Sequence, residues 1–154
     1  MAIQNLEQII SEHPLFVGLD SSFTGLLVGC AANVRFEPDK YIFHEGEESN
    51  QFFLIRKGRV TLEIHAPPRK PIVVETLGAG DIIGWSWLLP PHLWKFNARA
   101  TETTLLIALD GKCLRTKCEE SHELGYEVLK RFAPIIERRL DATRLQLLDI
   151  YAAH

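Results

Sequence analysis

The feature that most limits how this chain can fold is its hydrophobic period, which starts helical, becomes alternating and then turns helical again. Ile3, Leu6, Ile9 and Ile10 recur at steps that put them on one helical face. His13-Pro14 closes that segment, because a proline disfavours helix in the residue before it. Asp20-Ser21-Ser22 offers N-cap chemistry to a second helix carrying Phe23, Leu26, Leu27 and Cys30, which is expected to end near Asn33. Between about residues 34 and 109 the pattern shortens to alternation. In Arg59-Val60-Thr61-Leu62-Glu63-Ile64-His65, Val60, Leu62 and Ile64 share one face, which predicts a half-buried strand. Similar runs occur at Tyr41-Ile42-Phe43, Phe52-Phe53-Leu54-Ile55, Ile72-Val73-Val74, Trp94-Lys95-Phe96-Asn97-Ala98 and Leu105-Leu106-Ile107-Ala108. Pro38-Asp39, Glu45-Gly46, Lys57-Gly58, Pro67-Pro68 and Gly78-Ala79-Gly80 break them with turn chemistry. Closely spaced short strands of this kind predict an antiparallel barrel or jelly roll. After Asp110-Gly111 the helical period returns, in a short helix from Lys112 and a long one capped by Ser121, which Pro134 is expected to kink or restart.

A chain of 154 residues with 46% hydrophobic content fits one domain that buries about two-thirds of its unfolded surface. The expected fold class is mainly β with flanking α: an antiparallel jelly-roll barrel with N-terminal helices and a long C-terminal helix. Residues 1–33 would hold the first helices, 34–110 the β-roll with a glycine cassette at 78–100, and 111–154 the last helices. The net charge of -3 supplies no basic field for a nucleic acid backbone or an anionic membrane. The N-terminus has no basic leader pattern, and no run approaches the roughly 20 apolar residues of a membrane span. The expectation is therefore a cytoplasmic protein that binds neither DNA nor membrane.

Catalysis finds no support in the sequence. Cys30, Cys113 and Cys118 lack metal-type spacing and read as reduced, buried thiols. The six histidines are scattered without a His-x-His pair, so no metal site is expected, although His44-Glu45 and His65 could approach one another across the barrel. The glycines lack the Lys-Ser/Thr ending of a nucleotide-hydrolysing loop, and no Ser or Cys nucleophile sits in a local signature.

Binding has a better candidate. In Gly80-Asp81-Ile82-Ile83-Gly84-Trp85-Ser86-Trp87-Leu88-Leu89-Pro90-Pro91, a glycine-punctuated strand running into a short helical segment would aim backbone N–H groups at one anionic group. The side chains that follow the glycine are tryptophans rather than charges.

The order of helices, jelly roll, glycine cassette and long helix resembles the cyclic nucleotide-binding domain of the catabolite-activator and fumarate-nitrate-reductase regulator superfamily. His13-Pro14-Leu15-Phe16 resembles the family's opening turn, Ile42-Phe43-His44-Glu45-Gly46-Glu47 its first hairpin, and Phe53-Leu54-Ile55-Arg56-Lys57-Gly58-Arg59-Val60 its next strand pair. Gly78-Ala79-Gly80-Asp81-Ile82-Ile83-Gly84 is similar to the approach to the cassette, and Ala98-Arg99-Ala100-Thr101-Glu102-Thr103-Thr104-Leu105-Leu106 to the strand after it. The resemblance implies a regulatory, non-enzymatic domain. It also implies a glutamate for the ribose hydroxyl and an arginine for the cyclic phosphate, at places that hold Trp85 and Trp94 here. Ser86 keeps a small hydroxyl, and Lys95 stands where a small hydroxyl residue follows the arginine. In a strand, Lys95 would point away from Trp94 and Phe96.

Three readings follow. In one, Gly84, Trp85, Ser86, Trp87, Trp94, Lys95 and Phe96 form an altered site for a cyclic nucleotide or another nucleotide-like anion, with no other cofactor. In the second, the tryptophans fill the space left by a lost ligand, and the domain docks onto a larger protein complex. In the third, an arginine placed elsewhere serves the phosphate and the domain is a classical cyclic AMP sensor. The long helix carries Leu129, Phe132, Ile136, Leu140, Thr143, Leu147 and Ile150 at steps of three and four. Ile136, Leu140, Thr143 and Leu147 are the expected seam of a homodimer. Glu137, Arg138, Arg139, Asp141 and Arg144 are expected on a solvated outer face. Regulators of the superfamily continue from this helix into a DNA-reading domain, whereas this chain reaches Tyr151-Ala152-Ala153-His154 with no room for one, so a domain without DNA reading is expected.

Overall fold

The computed structural model describes residues 2–152, with side chains from Leu6 onward, so the Ile3 side chain and His154 lie outside the described residues. Helix α1 (Ala2–Glu12) ends before His13, and α2 (Ser21–Gly29) starts where the Asp20 carboxylate accepts the Ser22 N–H at 2.8 Å. The second helix is shorter than expected because β1 (Ala32–Phe36) begins at once, with Asn33 drawn into a ladder opposite Ile107. The strands that follow are β2 (Tyr41–Phe43), β3 (Gln51–Lys57), β4 (Val60–Ile64), β5 (Ile72–Leu77), β6 (Ile82–Ile83), β7 (Asn97–Ala100) and β8 (Thr104–Asp110). They form two four-stranded antiparallel sheets, ordered β1-β8-β3-β6 and β2-β7-β4-β5. Helices α3 (Gly111–Glu120) and α4 (His122–Ala152) complete the chain. The jelly-roll core is as expected, but "mainly β" overstates it, because α4 alone runs for 31 residues and the helices outweigh the strands.

Alternation in β3 and β8 feeds two cores. Phe53, Ile55, Leu106 and Ala108 point into the roll, against Val60, Leu62, Leu77 and Ala98 of the second sheet. Phe52, Leu54, Ile107 and Leu109 point the other way, into a layer built by Leu6, Ile10, Phe16, Leu27, Leu114, Leu124, Val128 and Phe132. The first sheet is therefore covered on both faces, which explains why these two strands read as continuous apolar runs. Each fully buried Leu or Phe contributes about 1.5–3 kcal/mol.

Strand β4 departs from its half-buried expectation, with Thr61 and Glu63 also buried. The cover is electrostatic. Glu63, 1% exposed, accepts from Arg99 Nε at 2.9 Å and from the Thr61 hydroxyl at 2.8 Å, and the Tyr41 hydroxyl lies 3.4 Å away. Burial pushes the Glu63 carboxyl up, but the hydrogen bonds from Arg99, Thr61 and Tyr41 outweigh it and hold the group below the usual glutamate range.

Helix α4 starts on Ser121, whose hydroxyl accepts the Leu124 N–H at 3.3 Å, and it continues through Pro134 without restarting. Its charged stretch is not uniformly solvated. Arg139 is 3% exposed and donates to Glu75 of β5 at 2.6 Å and to the Ile82 carbonyl of β6 at 3.2 Å, while Arg138 lies 3.6 Å from both Glu75 and Asp81. The reason is position: here the helix crosses the strand edge that leads into the cassette. Among the described residues, no helix is long and apolar enough to cross a membrane.

Candidate functional site

The cassette is held at both ends before any ligand is considered. On entry, the Asp81 carboxylate accepts the Gly78 N–H at 2.9 Å, and the Gly80 N–H donates to the Ile55 carbonyl at 2.8 Å, so the Gly78–Gly80 turn is sewn to the end of β3. Strand β6 then pairs Ile82 with Leu54 and Ile83 with Phe53 and stops at Gly84, whose φ of +102° is a left-handed conformation that favours glycine. Residues 85–88 make one turn, closed by the Leu88 N–H on the Trp85 carbonyl at 3.1 Å. The short helical segment expected here does not form, as Pro90-Pro91 lies immediately downstream and cannot donate the next helical hydrogen bonds.

The exit is fixed by the β2–β3 connection. Trp94 donates its N–H to the Glu47 carbonyl and accepts the Gly46 N–H, each at 2.9 Å, and Ser49 N–H reaches the His92 carbonyl at 2.8 Å. Asn97 adds a side-chain tie, accepting the Glu45 N–H at 2.7 Å. With its backbone clamped, Trp94 lays its ring on Phe43, with centroids 3.6 Å apart and planes 7° apart, and only 6% of the residue is exposed. The six-membered ring of the indole also meets the cassette glycine: a Cβ added at Gly84 would stand 2.7 Å from Trp94 Cζ3 and 2.8 Å from Cη2. The indole therefore lies against the cassette glycine.

The three tryptophans do not converge. Trp87 is fully buried in the helical layer, stacked on Phe52 at 5.0 Å and edge-on to Phe132 of α4 at 5.1 Å. Gly111, at the start of α3, makes room for it, since a Cβ there would come within 2.7 Å of the ring. The Trp87 indole N–H has no partner among the described residues, and Arg115 of α3 donates to the Trp87 carbonyl. Trp85 is half-buried against the same layer, Ser86 is buried and Phe96 packs partly into the roll. Lys95 is exposed and Trp94 buried, as alternation predicts, although β7 begins only at Asn97 and the preceding residues are not in a ladder.

A cavity of about 430 Å³ lies against the Phe43–Trp94 stack, lined also by Ile42, Phe53, Glu47 and Glu48. Its ionisable groups are carboxylates, the wrong sign for a phosphate. Sequence reasoning missed Phe43 as the partner of Trp94, and Glu75–Arg139 as the tie between the cassette approach and α4. The aromatic pair lay a third of the chain apart in sequence, and Arg139 was masked by the charges around it. His44 and His65 both contact Tyr41, which stacks on His44 at 4.6 Å and lies 3.3 Å from His65 Nε2. No group of three or more metal-ligating side chains occurs among the described residues.

Fold and cassette define a helix-flanked β-roll, and the chain belongs to the cyclic nucleotide-binding domain family, whose model matches residues 33–121. The match runs from β1 through the cassette to the end of α3. The chain is 22% identical over 145 residues to a CRP-like cAMP-activated global transcriptional regulator of Mycobacterium tuberculosis, covering 94% of this chain and 63% of that protein. Among solved structures, the sensor domain of the transcriptional regulator DNR from Pseudomonas aeruginosa superposes with a TM-score of 0.75 at 17% identity, covering 91% of this chain and 94% of that one. The regulatory subunit of a cAMP-independent protein kinase A from Trypanosoma cruzi, bound to guanosine, gives a TM-score of 0.68 at 27% identity, covering 86% of this chain and 46% of that one.

Proposed function

We propose that this chain is a non-enzymatic regulatory module in which Trp94 takes the place of the ligand, so that the domain acts through protein contacts and not by sensing cyclic nucleotide. The observation that carries this reading is the indole seated between Gly84 and Phe43. Two further points support it. Hydrogen bonds to charged groups contribute about 1.5–3 kcal/mol each, so a cassette with tryptophan in both ionic seats loses about a hundredfold to ten-thousandfold in affinity for a cyclic nucleotide. Proteins similar to this chain also differ in their dependence on cyclic AMP: one is described as cAMP-activated and another as cAMP-independent.

The contact surface of the module is α4. Leu140 and Leu147 are 68% and 53% exposed, Leu129 is exposed, and Ile136 and Thr143 between them are half-buried. A seam stepping by three and four along one helix fits the matching seam of a second copy. The partner is therefore a second chain, paired through Ile136, Leu140, Thr143 and Leu147, and the dimer presents its rolls to a larger assembly.

Calorimetric titration with cyclic AMP, cyclic GMP, guanosine and adenine nucleotides tests the reading. The expected result is no saturable heat. Tight binding of cyclic AMP overturns the proposal, and binding of a planar, uncharged or cationic member alone would point to the carboxylate-lined cavity beside Phe43 and Trp94 as an altered site. Trp94→Arg together with Trp85→Glu should restore measurable cyclic nucleotide affinity if these positions are the ionic seats.

A further inference from the structure

We propose that a second cavity, enclosed by the opening turn, the cassette approach and α4, binds a small amphipathic monocarboxylate. It measures about 520 Å³, within the range of small-molecule sites, and it shares no lining residue with the cavity beside Phe43 and Trp94. Its walls are thus independent of what Trp94 does in the roll. Pro14 and Leu15 come from the turn that ends α1, Ala79 and Ile82 from the approach to the cassette, and Ile135 from α4. One ring ties the first two segments together. His13 Nδ1 accepts the Leu15 N–H at 3.0 Å, so the ring proton sits on Nε2, which donates to the Gly80 carbonyl at 2.7 Å. Gly80 in turn holds a φ of +90° and donates its own N–H to the Ile55 carbonyl, so backbone fixes this wall.

The charges come from one helix face. Arg131, Ile135 and Arg138 follow each other at steps of four and three on α4. The two guanidinium groups have different tasks. Arg131 donates through Nη1 to the carbonyls of Leu15 at 3.2 Å and Val17 at 2.7 Å, so it is committed to holding the turn on the helix. Arg138 is 54% exposed, and its 3.6 Å approaches to Glu75 and Asp81 are too long for hydrogen bonds. Glu75 is meanwhile engaged by Arg139 at 2.6 Å. Arg138 therefore brings to the cavity a planar fork of N–H donors, which fits a carboxylate through two parallel hydrogen bonds.

Charge and lining together select the ligand class. Two guanidinium groups, the Asp81 carboxylate and an imidazole that accepts on Nδ1 leave one positive charge around the space. A monoanion balances it, whereas a phosphate dianion would bring a surplus negative charge beside Asp81. The rest of the ligand meets Pro14, Leu15, Ile82 and Ile135, which match an apolar tail and leave the hydroxyls of a sugar unpaired. No nucleophile lines the cavity, so it offers binding and not covalent chemistry. Of the three thiols, all expected to be buried, Cys30 is exposed and Cys113 and Cys118 are half-buried, and none of them reaches this space. Occupancy joins the opening turn and the cassette approach to α4, the helix that presents the proposed dimer seam. The module thereby gains an input that does not pass through the cassette.

The test titrates the full chain with octanoate, with octan-1-ol as the same tail without charge and acetate as the charge without a tail, following backbone amides by nitrogen-15 spectra. Octanoate should bind saturably with a Kd below about 1 mM, shifting the amides of Gly80, Asp81 and Ile82 and leaving the Trp94 indole in place. The alcohol and acetate should each bind at least about tenfold more weakly. Arg138→Met removes the fork and Ala79→Glu sets a carboxylate at the cavity, both at exposed positions, and each should weaken octanoate about tenfold or more. Absence of saturable binding below about 1 mM, equal binding of the alcohol, or unchanged affinity in both variants overturns the proposal. So do shifts confined to the exposed leucines of α4 or to the Trp94 indole, which are read on the wild-type chain whether or not the variants fold. A moving indole would count against the filled cassette as well, whereas a silent indole without octanoate binding removes this site alone.

Discussion

Replacing Gly84 with alanine probes the contact on which the functional reading rests. The new Cβ meets two costs that can be separated. One is conformational: at φ +102° an alanine is strained by about 1–3 kcal/mol, whatever surrounds it. The other is steric: the Cβ would lie 2.7 Å from Trp94 Cζ3, and a ring clamped through its backbone and stacked on Phe43 cannot retreat cheaply, which adds about 1–3 kcal/mol of overpacking. Gly84→Ala should therefore destabilise the domain by about 2–6 kcal/mol, the sum of these two ranges. Trp94→Ala alone should cost about 3–5 kcal/mol, as expected for emptying a large aromatic site. In the double variant the steric part vanishes and only the backbone part remains. Urea unfolding of the four proteins then yields a coupling of about 1–3 kcal/mol, in the direction that makes the double variant better than the sum of the singles. Additivity within about 0.5 kcal/mol would show that the indole does not rest on Gly84, and the reasoning would fail.

Three other outcomes follow from the same geometry. Glu75→Gln strands the buried Arg139 guanidinium and should cost about 3–5 kcal/mol in urea unfolding, whereas Glu75→Leu with Arg139→Met should recover most of it; equal losses in both proteins would contradict the pairing. Because Glu63 titrates below the usual range when folded, its contribution is complete above about pH 4.3 and fades as pH drops through the lower folded value. Glu63→Gln should thus lower stability at neutral pH and flatten the acid limb of a stability-against-pH curve, and an unchanged limb refutes the role given to Arg99 and Thr61. Leu140→Asp with Leu147→Asp should convert a dimer to a monomer in sedimentation equilibrium, leaving the circular dichroism of the roll intact; a wild-type chain that is already monomeric removes the α4 seam from the account.

Much of the architecture was readable because periodicity reports burial directly. The apolar runs of β3 and β8 and the capping residues Asp20 and Ser121 are local signals, and each was read from neighbours in the chain. What escaped needed distant partners. Glu63 looked like the polar side of a strand because Arg99 and Tyr41, which bury it, arrive from β7 and β2. Arg139 sits among Glu137, Arg138 and Asp141, and only the crossing of α4 over β5 and β6 singles it out. In the cassette, the tryptophans that follow Gly84 were legible, but their destinations were not. Trp87 and Trp94 are seven positions apart, yet they serve different cores, since the turn after Gly84 sends one into the helical layer and the clamp on Gly46 and Glu47 turns the other into the roll. Composition cannot distinguish a ring that stacks on a ligand from a ring that replaces it.

Nitrogen-15 spectra of the uniformly labelled chain would follow the Trp94 indole N–H, assigned by its loss in Trp94→Phe, while cyclic AMP is added up to about 1 mM, a concentration that detects interactions as weak as about 4 kcal/mol. An indole already seated between Gly84 and Phe43 gives a resonance that stays in place throughout. A saturable shift of that resonance, with the ring moving aside for the nucleotide, contradicts the claim that the side chain stands where the ligand would.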